Sequence, residues 1–225
     1  SGSYLYKSEA DRSSYVKDVF EALIMRDIRQ KYDVRNPDLL NRLSEFLMDN
    51  VSNVTSARSV ASSLEGDTEA NHKTVGSYIE YLCNAYAFYK VRRYDIRGKK
   101  YLSSGDKYYL SDHSFRFAKL GTRNMDWGRV YENMVAIELL RRGYELYVGK
   151  LYQKEVDFVA MRGSEKMYVQ VSDDISAPVT FEREVDPLLR IRDGYPKILI
   201  ARTRHETYDH EGIRIHDLAR WLSAE

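Results

Sequence analysis

Apolar residues recur every three or four positions through the early part of the chain and every second position through much of the remainder. From residue 14 onward, Val16, Val19, Phe20, Leu23, Ile24 and Ile28 keep the spacing of one helix face, which predicts a helix with Ser13 or Ser14 as N-cap. Asn36 as cap with Pro37 at the first position predicts a second helix that buries Leu39, Leu40, Leu43, Phe46 and Leu47. Residues 55–64 read as a short helix capped by Thr55 and closed near Gly66. Residues 71–83 read as a fourth helix on the spacing of Val75, Ile79 and Leu82.

The period then drops to two. Phe88, Lys90, Arg92 and Tyr94 alternate with Tyr89, Val91 and Arg93, the chain turns at 97–100, and 101–110 returns as one or two short strands. Two helices, a short turn and a basic β-hairpin describe a winged helix-turn-helix. In that reading 71–84 is the recognition helix, carrying Lys73, and 88–110 is the wing. The wing holds Lys90, Arg92, Arg93, Arg97, Lys99, Lys100 and Lys107 against Asp95 and Asp106, a local excess suited to DNA phosphates. The same cations would also guard an exposed strand edge. The recognition helix carries little charge, so sequence-specific base reading is not expected.

A change of character at 121–128 marks the expected boundary between a domain at 15–120 and one at 121–225. Asp126 is placed to cap a helix running to Arg141 and Arg142, with Gly143 ending it. Strands are predicted at 144–151, 155–161 and 166–172, a helix at 181–192, and a strand at 197–203. A last strand at 213–215 leads into a helix containing Trp221. The fold class is therefore mixed, α+β: a helical domain, then an α/β domain whose mixed sheet is flanked by helices. A turn at Arg162-Gly163-Ser164 would set Asp157 beside Gln170 on neighbouring strands.

Composition narrows this little. The chain has 225 residues, a formal net charge of +1, 43% hydrophobic and 31% charged residues, which describe a globular protein whose basic surfaces must be local. Its single cysteine, Cys83, excludes an intramolecular disulfide and a multi-cysteine zinc site, and fits a reducing cytoplasm. No apolar run approaches the roughly 20 residues that span a bilayer, so no membrane partner is expected. Ser1-Gly2-Ser3 reads as a tag scar and 4–14 as a polar, frayed lead-in. No G-x-x-x-x-G-K-[ST] loop, H-E-x-x-H helix or G-x-S-x-G elbow occurs.

Glu132 on a helix, Asp157 on a strand and Gln170-Val171-Ser172 on the next strand resemble the PD-(D/E)XK nuclease superfamily. The resemblance implies that Glu132 and Asp157 are the Mg²⁺ ligands of an active member, since hard Mg²⁺ takes oxygen ligands. Gln170 stands where a second acid belongs and Ser172 where the lysine belongs, so a catalytically degenerate site is expected. Lys166, about 20 Å along the strand from Ser172 at 3.3 Å per residue, is too far to substitute. Lys154, three residues before Asp157, is expected on the opposite face.

Longer phrases carry a second resemblance. Met25-Arg26-Asp27-Ile28, Glu45-Phe46-Leu47, Arg92-Arg93-Tyr94-Asp95-Ile96-Arg97-Gly98-Lys99, Tyr131-Glu132-Asn133 and Glu155-Val156-Asp157-Phe158-Val159 resemble the C-terminal half of prokaryotic AAA+-type ATPases that end in a domain of unknown function. The resemblance implies a winged helix followed by a nuclease-like fold, with ATP bound only by an N-terminal module absent from this chain. It implies a DNA-binding accessory module with DNA and its own ATPase module as partners. A Mg²⁺-dependent DNA nuclease and a protein-docking module are the alternatives.

Overall fold

A computed structural model of the protein describes residues 8–64, 70–103, 105–122 and 125–224. The tag scar expected at Ser1-Gly2-Ser3, the expected helix closure near Gly66 and the Leu23 side chain lie outside the described residues. The chain divides into two units, Ser1–Lys90 with Lys107–Met125, and Val91–Asp106 with Asp126–Glu225.

In the first unit, helix α1 (Glu9–Val19) begins earlier than its apolar spacing suggests. Ser8 accepts from the Asp11 amide, and Glu9 and Asp11 in the first turn suit the positive end of the helix, so residues 9–14 are helical and not frayed. A π-helical turn, Phe20–Met25, joins α1 to α2 (Arg26–Lys31) and keeps Phe20, Met25 and Ile28 fully buried across the junction. Asn36 caps α3 (Pro37–Asp49) as expected, accepting from Leu39 N at 2.9 Å, and the helix buries Leu39, Leu40, Leu43 and Leu47. Helix α4 (Ala57–Ser63) is capped by Ser56 and not by Thr55. Ser56 and Ser59 exchange side-chain and backbone bonds as a capping box, whereas Thr55 bonds the carbonyl of Asn53. Asn71 caps α5 (His72–Asn84), and α6 (Ser114–Leu120) adds Phe115 and Ala118 to the core.

Strand β1 (Phe88–Asp95) crosses from the first unit into the second. It pairs with β3 (Lys107–Leu110), whose Tyr108 and Leu110 complete the first core. Beyond residue 90 it pairs with β2 (Lys100–Tyr101) and, in parallel, with β4 (Glu145–Leu151).

The second unit is a mixed sheet flanked by helices, of order β2-β1-β4-β5-β6-β7-β9-β8. Strands β4, β5 (Lys154–Arg162) and β6 (Glu165–Ser172) form an antiparallel meander, and β7 (Lys197–Ala201) and β9 (Ile213–Asp217) continue in parallel. A three-residue strand, β8 (Tyr208–His210), closes the far edge; it is too short for alternation to announce it. Helix α7 (Trp127–Arg141) begins at Asp126, which accepts from Arg129 N. It ends at Gly143, whose φ of 81° lets the chain turn back. Helix α8 (Pro178–Leu189) starts three residues before the expected Phe181, because Pro178 is suited to the first helical position. It also ends at Leu189, so Arg190 is its cap and Arg192 lies beyond it.

Val185, Leu188 and Ile191 cluster with Tyr168, Leu199, Ala201, Ile213 and Ile215. Alternate strand residues point to opposite faces, so Val169, Val171 and Ile200 face the other side. There α7 and α9 (Leu218–Ser223) pack on the sheet and on one another. The meander contains one irregularity. Tyr147 pairs with Val159 but Gly149 pairs with Val156, so β5 holds one extra residue there, a bulge at Asp157 and Phe158. A Cβ on Gly149 would meet Ile96 Cδ1 at 2.9 Å and the Val156 Cβ at 3.0 Å, so any larger residue would push these neighbours aside.

Candidate functional site

The ladder between β5 and β6 ends at Phe158 and Val169, one pair short of Asp157 and Gln170. Side chains take over where the backbone pairing stops. Asp157 Oδ2 accepts from Val171 N at 2.8 Å, and Gln170 Oε1 accepts from Asp157 N at 3.3 Å. The two residues meet, as their spacing predicts. The bulge gives the reason for this geometry: the extra residue in β5 removes two main-chain partners, and a carboxylate and an amide replace them.

A third group joins that periodicity did not reveal. Gln170 Nε2 donates to Glu184 Oε2 at 3.0 Å, and the other Glu184 oxygen accepts from Arg183 at 2.8 Å. Glu184 sits on α8 and is 8% exposed, as is Asp157. A buried acid on an amphipathic helix was the available signal, but nothing local says which strand residue it meets. Ser172 is also buried and donates to the carbonyl of Asp174 at 3.3 Å. Glu132 is half-buried on α7, the helix of the other face, so the acid that reaches Gln170 comes from α8 instead.

Both lysines that the sequence singles out have protein neighbours. Lys154 pairs with Asp186 on α8 at 2.6 Å, the same helix that supplies Glu184. The register from Lys154 to Val156 is regular, so Lys154 shares the α8 side with Val156, ahead of the bulge at Asp157 and Phe158. Its charge is committed, because Asp186 also binds Arg190 and is held down to about 2 by Arg190 first and Lys154 second. Lys166 lies in a ring of tyrosines, 5.5, 5.0 and 4.8 Å from the centroids of Tyr94, Tyr168 and Tyr195. Burial lowers its pKa, against the opposing pull of Asp193. Among the described residues no group of three or more His, Cys, Asp or Glu could hold a metal ion. Mg²⁺ takes about six oxygens in octahedral array, and here the Asp157 and Glu184 carboxylates each accept from a protein donor.

The basic residues divide between the units. Lys73, in the first turn of α5, and Lys90, on β1, are exposed in the first unit. Arg92, Arg97, Lys99 and Lys100 are exposed in the second, while Arg93 is half-buried with its Nε lacking a hydrogen-bond partner. Asp95 Oδ1 accepts from Arg97 N and Gly98 N, which fixes the turn that presents Arg97, Lys99 and Lys100. Lys107 does not belong to this surface; it is 3% exposed, buried on β3.

A family described as a domain of unknown function (DUF8612) matches residues 2–126, more than half of the chain. The chain belongs to this family. The match to the domain of unknown function ends at Asp126, the cap of α7. An uncharacterized protein of Haemophilus influenzae is 35% identical over 222 residues, covering 98% of this chain and 54% of its own length. An uncharacterized protein of Methanocaldococcus jannaschii is 27% identical over 186 residues, covering 80% of this chain and 41% of its own length. The chain thus spans about half the length of the curated relatives it matches. No solved structure matches it. Among the described residues no helix is long and apolar enough to cross a membrane.

Proposed function

We propose that the chain is a DNA-binding accessory module of an AAA+-type ATPase, a winged helix-turn-helix followed by a nuclease-like domain without catalytic activity. One observation carries the DNA-binding part. The turn after β1, fixed by two bonds to Asp95, leaves Arg97, Lys99 and Lys100 exposed, as is Arg92 on β1. Fixed, exposed cations bind phosphates mainly by releasing counterions. The loss of catalysis rests on Asp157 and Gln170, whose polar groups replace missing sheet bonds, and on the serine at 172 in place of a lysine.

The test is duplex binding followed against salt. Three or four phosphate contacts would give a log–log slope of about −3 to −4, and reversing Arg92, Lys99 and Lys100 to Glu would remove most of it. Affinity that does not change between low and moderate salt, or no binding at low salt, rejects the reading and leaves a protein-docking module in its place.

Glu184 favours one second reading, a Mg²⁺-dependent nuclease whose second acid has moved to α8. Release of Gln170 would free one oxygen of the Glu184 carboxylate. Plasmid nicking with Mg²⁺ or Mn²⁺, lost in both Asp157→Ala and Glu184→Gln, would establish it.

A further inference from the structure

A cavity of about 780 Å³ opens in the second unit, away from the bonds that tie Asp157 to β6. Three chain segments line it: the turn after β1, the turn between β4 and β5, and the stretch that leaves α8. Four cations, Arg97, Lys99, Arg190 and Arg192, stand against one carboxylate, Asp193. That carboxylate is engaged, because Asp193 Oδ2 accepts from the buried Tyr168 hydroxyl at 2.6 Å and lies 4.0 Å from Lys166 Nζ. Arg190 is matched by Asp186. Among the described residues no ion pair neutralises Lys99 or Arg192. The cavity therefore has a net positive rim.

Its remaining walls are not polar. Ile96, Leu151, Leu189 and Ile191 supply aliphatic surface. Tyr152 is 57% exposed and lies under the Arg97 guanidinium at 5.0 Å from its ring centroid. Tyr152 has a φ of 57°, a conformation that costs a residue with a Cβ about 1 kcal/mol or more, so the turn holds an aromatic ring at the mouth against local preference. A small inorganic anion would use the cations and leave the ring and the aliphatic wall without a partner. A cavity of a few hundred Å³ with apolar walls and a few convergent charges suits an organic ligand.

We propose that this cavity binds a nucleotide unit, its phosphate held by Lys99, Arg192 and Arg97 and its base laid on Tyr152 and the aliphatic wall. The unit is either a free nucleotide or one residue of a single strand, and both present an anionic phosphate joined to a flat, unstacked ring. Duplex DNA presents no exposed base face, so this site goes beyond duplex binding and does not depend on it. It uses Arg192 and Tyr152, which lie outside the basic run of β1 and its turn.

The experiment titrates the whole chain, by fluorescence anisotropy, with two probes: ATP labelled on its ribose and a fluorescein-labelled twelve-residue oligothymidylate. Arg192→Glu is expected to weaken the binding probe by about tenfold or more, and Tyr152→Ala by several-fold. Both side chains are exposed, and unaltered melting curves would show that the variants fold. Lys73→Glu with Lys90→Glu should leave this affinity unchanged while lowering duplex binding. Saturable binding of labelled ATP identifies a free nucleotide as the source, and binding of the oligonucleotide alone identifies a single strand. No saturable binding of either probe, or equal affinity in wild type and Arg192→Glu, overturns the proposal, whatever the duplex measurement gives. Loss of duplex binding with retained nucleotide binding would reject only the duplex reading.

Discussion

Two polar regions of the second unit differ in how their charges are used. Around Asp157 the polar groups are joined to protein partners: the carboxylate to Val171 N, the Gln170 amide to Asp157 N and Glu184, and Glu184 to Arg183. Around Arg192 the cations outnumber the acids, and the one lining carboxylate is taken by Tyr168. The difference separates structure from recognition. A buried acid whose oxygens complete a β-ladder stabilises the fold, because leaving its donor bare would cost more than a typical hydrogen bond contributes. Exposed cations without protein partners contribute little to stability, and their charge stays available to a ligand.

Substitution at the first region should give the largest effect. Asp157→Ala leaves Val171 N without its acceptor at a buried site and should lower unfolding free energy by about 3 kcal/mol in denaturant titrations. Asp157→Asn keeps an acceptor oxygen and should recover most of it. Equal stability of Ala and wild type would break the comparison and return Asp157 to a functional role.

His113, in the first unit, shows what a buried group without partners does. It is 9% exposed, and neither ring nitrogen has a hydrogen-bond partner. Burial first, and then the nearby Arg116, push its pKa down to about 4 from 6.5. The neutral ring is therefore the form the fold accepts, and stability is fully present above about pH 6.5. It should fall as pH drops from 6.5 towards 4, by about 3 kcal/mol at most. His113→Gln should remove that slope, read as denaturation midpoints across pH 4 to 7; an unchanged slope would assign the acid sensitivity to the carboxylates.

Tyr168→Phe tests the link between the regions' energetics more finely. It removes the 2.6 Å bond to Asp193 and should cost about 2 kcal/mol, since the acceptor is charged. The freed carboxylate would then oppose anions at the cavity, so labelled nucleotide should bind more weakly. The smallest effect is expected at Arg192→Glu, within about 0.5 kcal/mol of wild-type stability, as for exposed side chains generally. A loss above 1 kcal/mol there would mean that the cavity rim is structural.

Much of the local structure was legible because it depends on near neighbours. Asn36 before Pro37 and Asn71 before α5 mark helix starts by cap chemistry. The alternation of β5 and β6 about Gly163 puts Asp157 opposite Gln170. Where two caps compete within two residues, as Thr55 and Ser56 do, the choice falls to Ser59 three positions on. Simple alternation cannot register the bulge at Asp157 and Phe158, which shows only in the pairing of β5 with β4.

The sequence by itself determined the helices with capped starts, the strands long enough to alternate, and the meeting of Asp157 with Gln170 across one tight turn. These are set by contacts a few residues apart, or by a reversal that fixes register. Tertiary structure alone decided that β1 lies parallel to β4, that Glu184 on α8 reaches Gln170, and that Arg190 and Arg192 come to stand with Arg97 and Lys99. Those meetings join residues far apart in the chain. Which of them occur depends on how α8 crosses the sheet to bury Val185, Leu188 and Ile191, a packing choice that no local pattern encodes.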